Sequence, residues 1–390
     1  MPKVNADWMN DPATRRVMRA LREAGHQAYF VGGCVRNALL KLPATDIDIA
    51  TDATPDEVMA AARAAGLRTV PTGVDHGTVT VIADQRPFEV TTFRRDVETD
   101  GRRAVVAFAR TMAEDAARRD FTINALYADE NGEVLDPTGQ GLQDLAARRI
   151  RFIGNPDDRI REDYLRILRL FRFHAWYGDP VTGLDPEAVQ AVRRHLDGLA
   201  LLSRERVGAE MLKLLAAPDP APSVDAMEEA GVLDRVLPGA RAEILARLVP
   251  LERNAGLAPD PIVRLAAIGG EDPAHALRLS RADARRLRAL REAAESSMSP
   301  AELGYRLGED DGKAALVIRC ALGGQPLARR DLARIADGAT ARFPIRPADL
   351  MPALSGPELG ARLKELERRW IASGFRLGRE ELLRQAAEEK

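Results

Sequence analysis

The chain has 390 residues, 45% of them hydrophobic and 30% charged, with a formal net charge of −2. That length implies two to four folding units with ample core material, and the charge balance excludes an overall basic field, although arginines cluster locally. The two cysteines, Cys34 and Cys320, make neither a disulfide framework nor a zinc site, and no apolar run suits a secretory signal or a membrane crossing, so a cytoplasmic location is expected.

From about Asp11 to Ala24 the apolar residues Val17, Met18, Leu21 and Ala24 share one face of an expected helix, with Gly25 as its stop. Ala28 to Val31 reads as a short strand running into Gly32-Gly33, and Val35 to Leu40 as a helix. Asp46-Ile47-Asp48-Ile49 alternates acid and apolar residues, which is strand spacing. Thr54 and Pro55 start a helix that continues to about Ala65. Leu67–Val70, Gly77–Ala83 and Pro87–Phe93 follow as strands, so this part is α/β or α+β. Arg94 to Val105 reads as a mobile loop or hairpin, Met112 to Asn124 as a helix, and Asn131-Gly132 as a hairpin turn. After about Gly139 strand signals nearly vanish. Apolar spacing at helical period, punctuated by Pro and Gly, predicts helical hairpins to the C-terminus.

Period two places Asp46 and Asp48 on one face, where they repel each other. A divalent cation removes the repulsion, and hard oxygen pairs suit Mg²⁺; a solvated edge strand fits the two acids as well. Gly32-Gly33, between a strand and a helix, lets backbone N–H groups approach a phosphate, with Arg36 one turn on for a charge-assisted contact. Glu89, flanked by Phe88 and Val90, is a candidate third acid if its strand lies beside Asp46 and Asp48; otherwise it is a sheet-edge acid paired with Arg94. Three carboxylates, two Mg²⁺ ions and a triphosphate are the parts of a two-metal nucleotidyl-transfer site. In Arg118–Leu126, Asp120 and Asn124 fit a buried polar network that holds Arg119 toward phosphate or ribose; a solvated basic helix is the alternative.

Asp163 and Arg166 are spaced as neighbours on one helix. A carboxylate beside a guanidinium accepts from an amino group and donates to a ring nitrogen. Cytosine and adenine both present that order; uracil and guanine leave it mismatched. Arg169 and Arg172 continue the spacing, toward phosphate or structural pairing. A surface salt bridge explains Asp163 and Arg166 equally simply.

The ordered set Gly32-Gly33-x-Val35-Arg36, Asp46-Ile47-Asp48, Arg118-Arg119-Asp120-Phe121-Thr122-Ile123-Asn124-Ala125 and Glu162-Asp163-x-x-Arg166-x-x-Arg169 resembles the class II tRNA nucleotidyltransferases and bacterial poly(A) polymerases of the polymerase β superfamily. Phe343–Arg346, Gly356–Gly360 and Trp370-Ile371 resemble the tail of CCA-adding members. The resemblance implies an α+β nucleotidyltransferase head with a small mixed sheet (residues 1–140), a helical neck for base recognition (141–205), an RNA-binding body (206–300) and a tRNA-binding tail (301–390). It implies addition of CCA to the 3′ end of tRNA from CTP and ATP, with Mg²⁺ held by Asp46 and Asp48. Poly(A) synthesis, or addition of only C or only A, remains open. Gly33, Arg36, Arg119, Asp163, Arg166, Arg169 and Arg172 map onto nucleotide-binding positions, and Arg94 to Arg110 onto the family's flexible loop. The sequence departs from the family at Asn37, where Asp is usual, so an ion pair there would be weakened. Scattered histidines, none followed by Asp, predict no phosphohydrolase activity. Arg281, Arg285, Arg286, Arg288 and Arg291, and Arg329, Arg330 and Arg334, are two basic runs: solvated faces, or a surface for the tRNA acceptor arm. Neither a membrane nor a protein partner is implied.

Overall fold

The computed structural model describes residues 2–44, 46–99, 104–351 and 353–388. It divides into two compact units, Met1–Glu210 with Pro222–Val236, and Met211–Ala221 with Leu237–Lys390.

The first unit opens with α1 (Asp7–Asn10) and α2 (Pro12–Glu23), the latter capped by the Asp11 side chain, which accepts from Ala13 N at 2.9 Å. Next come β1 (Ala28–Val31), α3 (Gly33–Leu39), β2 (Asp48–Thr51), α4 (Pro55–Ala64), β3 (Arg68–Gly73), β4 (Thr78–Ala83) and β5 (Arg86–Thr92). Thr54 and Glu57 close a capping box on α4, with Pro55 in its first turn. With β8 (Tyr127–Ala128) and β9 (Val134–Leu135) these strands form one mixed sheet, ordered β3-β4-β5-β2-β1-β8-β9. Among the described residues only the β2–β5 pair of this sheet is parallel, and it sets Asp48 against Glu89. Phe88, Val90, Val79, Val81 and Ile49 are buried, as are Val17 and Leu21 of α2 and Val58 and Ala61 of α4, and these helices pack on that side of the sheet. Alternation then leaves Asp48 and Glu89 together on the other side.

The Arg94–Val105 segment contributes to a hairpin, β6 (Arg94–Thr99) paired with β7 (Ala104–Phe108); residues 100–103 lie outside the described residues. The expected helix over Met112–Asn124 is not continuous. α5 spans Met112–Ala117, and only a short 3-10 turn, Thr122–Asn124, follows. A bridge between Phe121 and Phe152 takes over the backbone bonds, with Thr122 N donating to Arg151 O at 3.0 Å and Ile153 N to Asp120 O at 3.1 Å. α6 (Gly141–Ala146) and α7 (Pro156–Glu162) follow, then α8 (Leu165–Tyr177) and α9 (Pro186–Arg194). Asp163 therefore does not share a helix with Arg166. It is extended, at φ −155° and ψ 106°, and its Oδ1 accepts from Leu165 N at 3.1 Å at the start of α8.

Helices make up the rest, and no strand follows β9 among the described residues. They are α10 (Arg204–Leu215), α11 (Ala221–Glu229), α12 (Val232–Val236), α13 (Glu243–Ala255), α14 (Pro261–Ile268), α15 (Pro273–Ala276) and α16 (Arg281–Glu295). α17 (Pro300–Leu307), α18 (Glu309–Gly323), α19 (Arg329–Thr340), α20 (Gly356–Ala372) and α21 (Arg379–Glu388) complete the chain. In the second unit a fully buried Arg264 pairs with Glu252 and donates to the carbonyl of Leu215 at 2.6 Å, fixing the polar ends of the Pro-rich connection. α17 and α19 pack so closely that a side chain at Gly304 or Gly338 would collide with the facing backbone. Ile345, Leu366, Trp370 and Leu382 form a separate terminal core.

Candidate active site

The acidic half of the site rests on β2 and β5. Ile47 and Ile49 are buried while Asp46 is exposed and Asp48 half-buried, the alternation expected, although the regular strand begins only at Asp48. Glu89, the partner of Asp48 in the register, brings a second carboxylate beside it. Burial and the charges of Glu89 and Asp46 push the Asp48 carboxyl above the usual range, against the opposing pull of Arg119. Neither Asp48 nor Glu89 has a side-chain hydrogen bond or ion pair among the described residues. Cys34, behind Asp48, is buried with its thiol pushed up to about 11 by burial.

Gly32 and Gly33 join β1 to α3 as expected. Gly32 adopts φ 72° and ψ −121°, a conformation that requires glycine, and a Cβ there would lie 3.5 Å from Arg119 Nη1 and 3.6 Å from Asn124 O. The turn and Arg119 are therefore adjacent. Arg119 is not held by Asp120 and Asn124. It is held by Asp115 of α5, whose Oδ2 accepts from Arg119 Nη2 at 2.9 Å and from Tyr127 OH at 2.6 Å. Asp115 is buried, which opposes ionisation, yet Arg119 and Arg118 hold its carboxyl down to about 2. Reading the sequence did not single out Asp115, although its spacing ahead of Arg118 and Arg119 is that of helix neighbours.

Asp120 and Asn124 do form a buried network, with Asn124 Nδ2 donating to Asp120 Oδ1 at 3.0 Å. The arginines it holds are others: Asp120 Oδ2 takes Arg169 Nε at 2.8 Å, and Asn124 Oδ1 takes Arg36 Nη1 at 2.5 Å. Arg172 pairs with Glu210 of α10 at 2.5 Å. Arg36, Arg169 and Arg172 all lie over the Phe173 ring, at 5.3, 5.3 and 4.4 Å from its centroid. Arg36 is also 3.9 Å from the Tyr177 centroid. Arg36 is 6% exposed and has no ion pair among the described residues; burial lowers its pKa. The three guanidiniums cluster around the Asp120 and Glu210 carboxylates, with Asp163 also acting on Arg169.

Asp163 and Arg166 do not pair with each other. Asp163 Oδ2 accepts from Arg206 of α10 at 2.7 Å. Arg166 binds Glu162 at 2.5 Å, the Arg159 carbonyl at 3.0 Å and the Arg118 carbonyl at 3.1 Å. Glu162 was recoverable from its spacing to Arg166; Arg206 and Glu210, on a separate helix, carried no local signal. On α16, Arg281, Arg285 and Arg288 are exposed while Arg286 is held by Asp260 and Asp311, at 2.6 and 2.8 Å. Arg329, Arg330 and Arg334 of α19 are exposed. Among the described residues no helix is long and apolar enough to cross a membrane.

Residues 28–151 match the poly A polymerase head domain, and residues 183–244 match the probable RNA and SrmB-binding site of polymerase A. The CCA-adding enzyme of Streptococcus pyogenes serotype M1 is 43% identical over 231 residues, 58% of this chain and 55% of that protein. That of serotype M4, strain MGAS10750, is 44% identical over 245 residues, 62% of this chain and 56% of that protein. The chain matches about half the length of these curated relatives. The crystal structure of the Bacillus stearothermophilus CCA-adding enzyme in complex with CTP aligns with a TM-score of 0.73 at 28% identity, over 93% of this chain and 94% of that one. The Thermotoga maritima CCA-adding enzyme complexed with tRNA aligns over 100% and 99% with a TM-score of 0.71, and at 19% identity it is a likeness of fold alone. Two segments of the chain are thus similar to polymerase A domain families, and its described fold is similar to that of the Bacillus stearothermophilus CCA-adding enzyme.

Proposed function

We propose that this protein adds CCA to the 3′ end of tRNA in the cytoplasm, using CTP and ATP without a nucleic-acid template. The observation that carries this reading is the register of β2 and β5, which sets Asp48 beside Glu89 in the reach of Arg119. The 3′-terminal hydroxyl oxygen attacks the α-phosphorus, the α–β phosphoanhydride breaks, and pyrophosphate leaves. Gly32 and Gly33 leave room for the phosphates, Arg119 faces them from its seat on Asp115, and Arg36, Arg169 and Arg172 supply the positive field. Asp163 and Arg166 read the amino group and ring nitrogen shared by cytosine and adenine.

The donor set fits Mg²⁺. Asp46 and Asp48 are hard oxygen ligands whose mutual repulsion a cation offsets, with Glu89 as a further acid beside them. Among the described residues no group of three or more metal-ligating side chains is gathered, and Mg²⁺ in general needs only one or two carboxylates, with phosphates and water completing its shell. When bound there, the metal would acidify the attacking hydroxyl and neutralise charge on the leaving pyrophosphate. Within this reading residues 1–140 are the catalytic head, 141–205 the base-reading neck, 206–300 an RNA-binding body and 301–390 a tRNA-binding tail. Exposed arginines of α16 and α19 would hold the acceptor arm through phosphates, with affinity that falls as salt rises.

Offering tRNA that lacks its last three nucleotides with CTP, ATP or both, then sequencing the ends, tests the proposal. CTP alone should stop after two residues, and both nucleotides should give CCA. Long adenosine tails would identify a poly(A) polymerase instead, and incorporation of a single nucleotide type would identify a partial activity.

A further inference from the structure

Arg206 and Glu210 stand one turn apart on α10 and reach two groups of the nucleotide side. The buried Glu210 accepts from Arg172 Nε at 2.5 Å and holds this face of α10 beside α8. Arg206 Nη2 donates to Asp163 Oδ2 at 2.7 Å. Asp163 lies at the break between α7 and α8, and its carboxylate has a tether on each oxygen. Oδ1 accepts from Leu165 N at 3.1 Å, and Oδ2 takes Arg206. The bond to Leu165 alone leaves the carboxylate free to turn about it. Two bonds on different oxygens define its plane. A carboxylate offers about four lone-pair sites, so each oxygen keeps one for a further donor. The side chains of Arg206 and Asp163 are 40% and 30% exposed, which leaves the carboxylate open to a ligand. An ion pair this exposed adds little to stability; what it adds here is orientation. Arg169 also feels the charge of Asp163, but Asp120 holds it, so it does not replace Arg206.

We propose that Arg206 is a positioning residue for base selection, which sets the plane of the Asp163 carboxylate so that it accepts from a base amino group and repels a carbonyl in the same place. The proposal rests on the reading of Asp163 as the acceptor for the amino group of cytosine and adenine. Selection then depends on the carboxylate being held still. A carboxylate that can turn makes a poorer bond to cytosine and can swing away from the carbonyl of uracil, so the correct base loses and the wrong base gains.

Arg206→Met keeps the apolar stem and removes the donor and its charge. In single-nucleotide addition to tRNA, kcat/KM for CTP should fall severalfold while that for UTP holds or rises, so that their ratio falls about tenfold. The melting temperature should move by less than about 4 °C. Arg206→Lys still donates to the carboxylate and should recover most of the discrimination. In an Asp163→Ala background, Arg206→Met should lower the ratio no further, the signature of a residue that acts through Asp163. Wild-type discrimination in Arg206→Met would overturn the proposal. So would a lowered KM for CTP with selectivity intact, which marks Arg206 as a competitor of the base for the carboxylate. A further fall of the ratio in the Asp163→Ala background would overturn it too, since Arg206 would then act by another route. The parent reading fails separately: if Asp163→Ala alone selects CTP and ATP as strictly as the wild type, Asp163 does not read the base, whatever Arg206 does.

Discussion

Asp48 and Glu89 stand side by side with no ion-pair partner among the described residues, whereas Arg119, Arg166, Arg169 and Arg172 each hold a carboxylate. The two halves of the site solve different problems. Each of these arginines is fixed in one orientation by a buried or half-buried acid that also lowers the cost of burying the charge. The carboxylates are left in mutual repulsion, with Asp48 pushed above its usual range by burial, Glu89 and Asp46. On the proposed reading a bound cation would relieve that repulsion. On that reading stability is concentrated on the nucleotide side and given up on the metal side, where binding has to be conditional.

Removing the charge of Asp48 should break the comparison most severely. Asp48→Asn keeps size and loses a metal ligand, and single-turnover incorporation of CMP into tRNA should fall about a thousandfold or more. The same change should leave the melting temperature equal to or above that of the wild type, because the folded state disfavours that charge. A large loss of stability together with a small loss of rate would reverse the assignment of the two halves.

Asp115→Asn tests the other half and should do the opposite. It replaces the charged carboxylate between Arg118, Arg119 and Tyr127 by a neutral amide that keeps one accepting oxygen and turns an NH2 toward the donors on the other side, at a cost of about 3 kcal/mol at neutral pH. The sign with pH follows from the depressed carboxyl. Its folded value of about 2 lies below the ordinary aspartate value of 3.8, so the stabilisation is fully present above the unfolded value and is lost as pH falls through about 2. Denaturation of the two proteins by urea should therefore differ most near neutrality. The gap should narrow by about 2 kcal/mol on acidification to pH 2. A gap independent of pH would mean that Arg119 is held by something other than this charge.

The same contrast governs what could be read from the sequence. Asp46 and Asp48 announce themselves because period two in a strand is a local pattern, and Gly32-Gly33 because a turn needs its glycine at the turn. Glu89 required only the guess that its strand lay beside β2. The partners of the arginines were hidden, because Arg169 with Asp120 and Arg172 with Glu210 are pairs between distant segments. Both helix boundaries that sequence reasoning placed wrongly have tertiary causes. Phe121 leaves the helix to bridge Phe152, and Asp163 leaves it to spend one oxygen on Leu165 N and the other on Arg206. Neither site contains a proline or glycine that would have warned of the break.

The smallest expected effect is the most specific. Arg166 does not depend on Asp163 for its orientation, since Glu162 and the carbonyls of Arg159 and Arg118 hold it. Asp163→Ala therefore removes the acceptor for the base amino group and leaves the donor in place. The cost in stability should be about 1 kcal/mol, that of a half-buried cap at the start of α8. Discrimination against UTP and GTP, measured as a ratio of kcat/KM values, should fall about ten- to a hundredfold. Asp163→Asn sharpens the test, because its amide both accepts and donates and can satisfy a uracil or guanine carbonyl that the carboxylate repels. It should admit UTP more readily than the alanine variant does. If both variants select CTP and ATP as strictly as the wild type, Asp163 only caps α8 and pairs with Arg206, and base choice resides elsewhere.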